Sequence, residues 1–420
     1  MVKIDKRVIV ISIIIIVVIE FCAILKLDHF FYDSWHWLAL SESIYEGKGY
    51  CFNPDYFHDK YLSDRPLLKG ECPTRMRQPG FALFLVLAYW LPGQNLLFFK
   101  IVQAVLSLFS FLFAILIARK IFVNSSSLNI FVVLMALYFP LWILVTYIMS
   151  ETLFTFLLVA AMYLFVLGLT NNKNSRWHWA AAGVIFAFAM LVRPIILPVV
   201  VLSIIPCIVY LGPNNGLKKW SLFVLFFVIA CSPWAIRNGL ATGAFTPLCN
   251  EGGYTIWANT SPINLQPEEY LQATAVNEFQ LSKKADSRFY RMSVRHILEN
   301  PALYSVNCFI RLARLWLNFP VAGIFFQGNK FIGYVIQGII IVLFLLGLLR
   351  FSPKDLSFLL LPIVITSIMS MAMQSEARYT MPVMPFFLII ASQGAAVLLN
   401  EIIKKRNHRE SIPAQIGGNA

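Results

Sequence analysis

Residues 27–50 read LDHFFYDSWHWLALSESIYEGKGY, and residues 75–81 close the same segment with RMRQPGF. Between Leu27 and Gly80 lie eight carboxylates, six Lys or Arg residues, three histidines and two cysteines. This dense polar stretch directly follows an apolar run, VIVISIIIIVVIEFCAIL, at residues 8–25. Charged groups in hydrocarbon cost several kcal/mol each, so a long polar loop between apolar spans is where water-side chemistry can occur. Asp33 is the first candidate for such chemistry.

Working outward, 59% of the 420 residues are hydrophobic, only 13% are charged, and 36 are Phe. This is the composition of a polytopic membrane protein rather than a soluble one. The formal charge of +13 does not indicate nucleic acid, because the basic residues collect in short loops beside apolar runs. The run after MVKIDKR is too long for a signal-peptide core and no small-residue cleavage site follows, so it reads as a retained signal anchor. Glu20 lies inside it; an intramembrane carboxylate is a functional candidate, or it pairs within the bundle.

At about 20 apolar residues per span, further helices are expected near 96–118, 128–148, 151–170, 177–192, 194–211, 220–236, 331–349, 356–373 and 380–399. The fold class is thus an all-α polytopic membrane protein of about ten spans. Alternation puts Arg119 and Lys120, Lys173 and Arg176, Lys218 and Lys219, Arg350 and Lys354, and Lys404, Lys405 and Arg406 on the N-terminal side. By the positive-inside rule that side is cytoplasmic. The segment 79–95, PGFALFLVLAYWLPGQN, is too short and too punctuated by Pro and Gly to span, and is expected to lie at the outer interface. The expected organisation is one transmembrane domain, 1–400, with outer loops 27–95 and 237–330, and a cytoplasmic tail 401–420. Within the second loop, Arg288, Arg291, Arg295, Arg311 and Arg314 alternate with apolar residues at helical spacing, which predicts amphipathic surface helices.

Cys51 and Cys72 share the first loop and could close it if the outer face is oxidising; Cys249 and Cys308 fall in the second. No CxxC, HExxH, P-loop or GxGxxG phosphate motif is present, which argues against nucleotide-driven transport and zinc peptidase chemistry.

The alternating topology brings a constellation to the outer helix ends: Asp33, Arg75 and Arg77, Glu151, Arg193, Trp234 and Arg237, and Arg378 with Tyr379. Carboxylates among arginines suit deprotonation of a nucleophile beside a bound phosphate or diphosphate. Each residue also has a plainer reading. Glu151 can cap its helix with Ser150. His29, His36 and His58 share the loop with Asp33 and Asp55 but lack metal-ligand spacing. Trp35, Trp37 and Tyr45 fit interfacial packing as well as sugar stacking.

The chain resembles the GT-C superfamily of polyprenyl-phosphate-dependent glycosyltransferases, in the branch with protein O-mannosyltransferases and lipid A aminoarabinose transferases. The matching stretches are DSWHWLALSESIYEGKGY (33–50), RQPGFALFLVLAYWLPG (77–93), MSETLFTFLL (149–158), AMLVRPIILP (189–198), SPWAIRNGLATGAFTPL (232–248), ENPALYSV (299–306) and EARYTMPVMPFF (376–387). The resemblance implies an inverting transfer, on the outer face of the plasma (inner) membrane, of a hexosyl or pentosyl group from an undecaprenyl-phosphate-like donor. The acceptor would be a hydroxyl or other nucleophile of a cell-envelope lipid, glycan or protein. Asp33 matches the family's first-loop base, with Glu151 as the second catalytic candidate. Arg77, Arg75, Arg193, Arg237, Arg378 and Tyr379 would hold the donor phosphate, and Trp37, His36 and Trp234 would contact sugar or acceptor. No residue set for a metal is assigned; the resemblance leaves a divalent metal open. Gln78 stands where the aminoarabinose branch has a Lys before Pro, with Arg77 one place earlier. The rival classes are a transporter or flippase, which should show repeat halves and broken midplane helices, and a ligase or polymerase of lipid-linked saccharides.

Overall fold

A computed structural model of the chain describes residues 4–26, 32–52, 72–75, 77–89, 96–170, 175–250, 252–260, 283–320 and 330–410. Its elements are helices: α1 Lys6–Lys26, α2 Tyr32–Tyr45, α3 Pro79–Tyr89, α4 Leu96–Ile121, α5 Ser125–Leu137, α6 Pro140–Ile143, α7 Glu151–Thr170, α8 Ser175–Val192, α9 Ile196–Leu202 and α10 Ile204–Leu211. There follow α11 Pro213–Thr242, α12 Gly252–Thr260, α13 Lys283–Glu299, α14 Pro301–Leu317, α15 Lys330–Leu348, α16 Pro353–Ala372 and α17 Met384–Glu410. Short 3-10 turns occupy Leu144–Thr146 and Ala377–Val383.

All ten expected spans are helical, but not uniformly. Among the described residues seven helices are individually long and apolar enough to cross a membrane. The segment expected at 128–148 is instead a pair, Ser125–Leu137 and Pro140–Thr146, bent by 48°. Pro140 at a helix start fits the break, since it has no N–H to continue the preceding helix. The carbonyls freed beyond it are met from within: Gln103 Nε2 donates to Val145 O at 3.0 Å and to Tyr147 O at 2.9 Å, as backbone inside a bilayer requires. The segment at 194–211 is likewise interrupted at Ser203. Pro206 accounts for this, because its ring opposes the carbonyl four residues earlier. Two expected bounds differ as well: α11 runs from Pro213 to Thr242, so Lys218 and Lys219 lie in its first turns, and α17 continues to Glu410.

Burial follows from which face each helix turns inward. In α1 the buried residues are Ser12, Ile16, Glu20 and Ala23, a single stripe at helical spacing, while Val10, Ile14, Val18 and Phe21 stay exposed. Such a helix packs on one side and meets lipid on the other. Glu20 is on the packed stripe, where it accepts the Ser107 hydroxyl. By contrast α7 and α17 are largely enclosed. The α15–α17 contact depends on small residues, since a Cβ on Gly347 or Gly394 would run into the Ile390 or Leu343 carbonyl of the facing helix.

Helix α3 is 11 residues long, too short to span. Phe81, Ala82 and Leu85 are buried, whereas Leu83 and Leu87 are exposed. It is fastened to α2 by Ser41 Oγ, which donates to Ala82 O at 3.0 Å, and by the edge-to-face pair Trp37–Phe81. Its start is pinned against α8: a Cβ on Gly80 would meet the Leu191 carbonyl oxygen at 2.7 Å. Cys51 and Cys72 are joined by a disulfide. Helices α13 and α14 are amphipathic, as their spacing predicts.

Candidate active site

Five of the sequence-selected residues form one ion-pair network. Asp33 sits in the first turn of α2, where a helix N-terminus favours an anion. Arg77 Nη2 donates to its Oδ1 at 2.8 Å, and Arg378 Nη2 donates to its Oδ2 at 3.2 Å. Glu151 opens α7 and is 1% exposed. Its Oε1 lies 2.7 Å from Arg193 Nη2 and 3.8 Å from Arg378 Nε. Arg378 therefore bridges the two carboxylates.

The supports of the network are local and specific. Arg193 follows α8, and its Nε donates to Ser150 Oγ at 2.8 Å. The Tyr379 ring lies within 5.5 Å of the Arg193 guanidinium and 5.6 Å of that of Arg378, so one aromatic face helps hold two like charges near each other. Arg378 Nε also donates to Glu376 Oε2 at 2.5 Å. Arg77 lies over the Trp37 ring at 5.6 Å and sits 3.1 Å from His36 Nδ1. A guanidinium has only donors, so Nδ1 accepts and the neutral ring carries its proton on Nε2.

Burial pushes the Asp33 carboxyl up, but the charges of Arg77 and Arg378 outweigh it and hold the group below the ordinary carboxylate range. His36 moves the other way from its usual value. Burial, reinforced by the charge of Arg77 and opposed by Asp33, pushes it down to about 3. At neutral pH the site thus has an ionised Asp33 beside a neutral imidazole.

Asp33, Trp37, Arg77, Ser150, Arg193 and Tyr379 line one cavity of about 440 Å³. Much of the remaining wall is apolar: Phe154, Val192, Ile195 and Leu197 from α7 to α9, Met369 from α16 and Met373 just after it. Leu248, Gly252, Thr255 and Tyr290 bring α12, α13 and the preceding loop to it. An anion-binding cluster in one wall and a long apolar lining in the rest suit an amphiphile with a charged head.

Glu151, Arg378 and His36 contact lining residues without lining the cavity themselves, and three other selected residues stand elsewhere. Arg237 does not line the cavity; its Nη1 donates to Thr74 O at 2.8 Å and its Nη2 to Tyr50 O at 3.2 Å. Trp234 lies under the same guanidinium at 4.8 Å and packs edge-to-face on Tyr50. Both fasten the two ends of the disulfide-closed loop, because carbonyl oxygens near Cys51 and Cys72 can be captured by one forked cation. Arg75 is buried outside the cavity wall, and its carbonyl accepts the Asn250 N–H at 3.1 Å. His29, Asp55 and His58 fall outside the described residues. Among the described residues no group of three His, Cys, Asp or Glu side chains gathers as metal ligands would.

Sequence reasoning missed Glu376, Tyr50 and Tyr290. Glu376 was legible as the acid of the E-A-R triplet next to Arg378. Tyr50 donates its hydroxyl to Arg77 O and Gln78 O at 2.9 and 3.1 Å, a backbone role that no motif announces.

No protein-family model matches the chain, and no curated protein does. Solved structures do. The oligosaccharyltransferase of Archaeoglobus fulgidus, tethered to an acceptor peptide, superposes with a TM-score of 0.56 at 13% identity, over 98% of this chain and 52% of that one. The fold is GT-C. The same archaeal protein with an inhibitory peptide and a dolichol-phosphate gives 0.55 over the same shares. ArnT from Cupriavidus metallidurans bound to undecaprenyl phosphate gives 0.45 at 11% identity, over 92% of this chain and 77% of that one. The chain described here thus spans about half the length of the archaeal protein.

Proposed function

We propose that the protein is an inverting glycosyltransferase that moves a sugar from a polyprenyl-phosphate carrier to a hydroxyl of a cell-envelope acceptor at the outer face of the membrane. The observation that carries this reading is Asp33 held between Arg77 and Arg378 in the wall of a cavity whose lining is otherwise largely apolar. The GT-C neighbour seen with a dolichol-phosphate points to the same class of lipid.

The chemistry follows from the charges. Asp33, ionised at neutral pH, accepts the proton of the acceptor hydroxyl as its oxygen attacks the anomeric carbon from the face opposite the phosphate. The new C–O bond forms, the bond from the anomeric carbon to phosphate oxygen breaks, and the electron pair leaves on the polyprenyl phosphate. The products are the glycosylated acceptor, with its anomeric centre inverted, and the phosphate lipid. A phosphate leaving group takes up charge rather than a proton, so cations serve it better than an acid. Arg77, Arg193 and Arg378 are those cations. The incoming phosphate competes with Asp33 for Arg77 and Arg378, and each guanidinium it draws off returns basicity to the carboxylate. The apolar lining takes the first isoprene units. Glu151 keeps Arg193 and Arg378 in place rather than taking the proton.

The test is sugar release from undecaprenyl-phosphate-linked hexoses by purified protein with envelope lipid or glycan acceptors, wild type beside Asp33→Asn. The isosteric change removes the base together with the charge that pairs Arg77 and Arg378, and transfer should slow by about two to four orders of magnitude. Equal turnover by both proteins rules Asp33 out as base. Donor left intact by a folded wild type returns the question to flippase or ligase chemistry.

A further inference from the structure

Gln78 occupies a place that its own chemistry does not explain. It is 2% exposed and lines the same cavity as Asp33, Trp37 and Arg77. Both its side-chain Nε2 and Oε1 are buried without a hydrogen-bond partner. Leaving such a pair unmet forfeits the hydrogen bonds both atoms make to water, so buried amides are nearly always satisfied. The position is also rigid. Preceding Pro79, Gln78 is confined to extended backbone; its carbonyl is held by the Tyr50 hydroxyl; and Gly80 is wedged against the Leu191 carbonyl. The amide is held ready, but nothing among the described residues uses it.

What would satisfy it is constrained by the amide itself, which offers a donor and an acceptor side by side. A phosphate has only acceptor oxygens at neutral pH, so it could meet Nε2 while being repelled by Oε1. An isoprenoid chain could meet neither. A pair of neighbouring hydroxyls meets both, one accepting from Nε2 and the other donating to Oε1. We propose that Gln78 is a specificity residue that binds adjacent hydroxyls of the transferred sugar, placing that sugar beside Asp33. This rests on the glycosyl-transfer reading and deepens it: the sugar carries at least one vicinal pair of free hydroxyls.

The experiment compares wild type with Gln78→Met, which keeps length and burial while removing both polar atoms. The probes are undecaprenyl phosphate, undecaprenyl-phosphate glucose and mannose, and the 2-, 3-, 4- and 6-monodeoxy forms of each sugar lipid. Wild type should discriminate against one or two of the monodeoxy donors by about 10- to 100-fold in kcat/KM. Gln78→Met should flatten that discrimination to within about threefold, while its affinity for undecaprenyl phosphate stays within about twofold of wild type. Should the methionine variant not fold, Gln78→Leu, which also removes both polar atoms, should flatten it likewise. Discrimination retained by the variant, or affinity for undecaprenyl phosphate lost alongside it, overturns the assignment to sugar hydroxyls. A folded wild type that uses none of the sugar lipids overturns the glycosyl-transfer reading itself and the Gln78 proposal with it, an outcome set apart by the wild-type measurement alone.

Discussion

Arg378 Nη2 lies 3.2 Å from Asp33 Oδ2, across 345 residues of sequence. The loop after the first apolar helix and the turn before the last are therefore one chemical unit. With Arg77 on the other oxygen, each carboxylate oxygen accepts from one cation and keeps a second lone pair for a nucleophile's hydroxyl. A bound phosphate that draws off either guanidinium makes the carboxylate the stronger base.

Removing Arg378 should accordingly have two separable effects. In Arg378→Gln one of the two cations that lower Asp33 is gone, so its pKa rises toward the ordinary value of 3.8. A base is active when unprotonated, so the acidic limb of the pH–rate profile moves to higher pH. The KM for an undecaprenyl-phosphate sugar should rise at least about tenfold through the lost phosphate contact. Arg378→Lys should recover part of the KM, since it restores charge but not the fork that spans Asp33 and Glu376. An unchanged KM together with an unshifted acidic limb would remove Arg378 from the donor site.

Arg237 makes the opposite prediction. Its partners include the carbonyls of Thr74 and Tyr50, the Asn238 side-chain oxygen and the rings of Trp234 and Tyr50, contacts that suit holding a loop. Charge-assisted bonds of this kind are each worth about 1.5–3 kcal/mol. Arg237→Ala should lower the thermal unfolding midpoint clearly, with the undecaprenyl phosphate affinity of the protein that remains folded close to wild type. A normal midpoint with donor affinity selectively lost would return Arg237 to the phosphate site.

The difference between these arginines shows what the sequence could and could not reveal. The apolar helical segments and the cluster Asp33, Glu151, Arg77, Arg193 and Arg378 were legible, because apolar length and charge position are properties of single segments. Arg237 looks much like Arg193 in sequence: each directly follows an expected apolar span. Which of them faces a cavity depends on where the backbone at Tyr50 and Thr74 lies, and that is settled by long-range partners such as Thr74 O. The bend at Pro140 was hidden for a similar reason. Its cost is met by Gln103, 37 positions away in the chain, and span-length reasoning sees only an uninterrupted apolar run.

His36 supplies a test that needs no substrate. It is 3% exposed and is neutral in the folded protein down to about pH 3, whereas an unfolded chain protonates it near 6.5. As pH falls through 6.5 the unfolded state binds one proton that the folded state refuses, so this group removes stability at up to ~1.4 kcal/mol per pH unit. The loss builds between about pH 6.5 and 3. Asp33 acts in a different window: with its folded pKa depressed, the stability it contributes is present above 3.8 and is lost only as pH falls below that value. Replacing His36 by Gln keeps an acceptor for Arg77 and removes the titrating ring. Thermal midpoints in detergent at pH 7, 6, 5 and 4 should fall more steeply for wild type than for His36→Gln, so that any deficit of the variant at pH 7 narrows or reverses at pH 4. Parallel decline of the two proteins over that range would mean that the buried imidazole is not the group that takes up the proton.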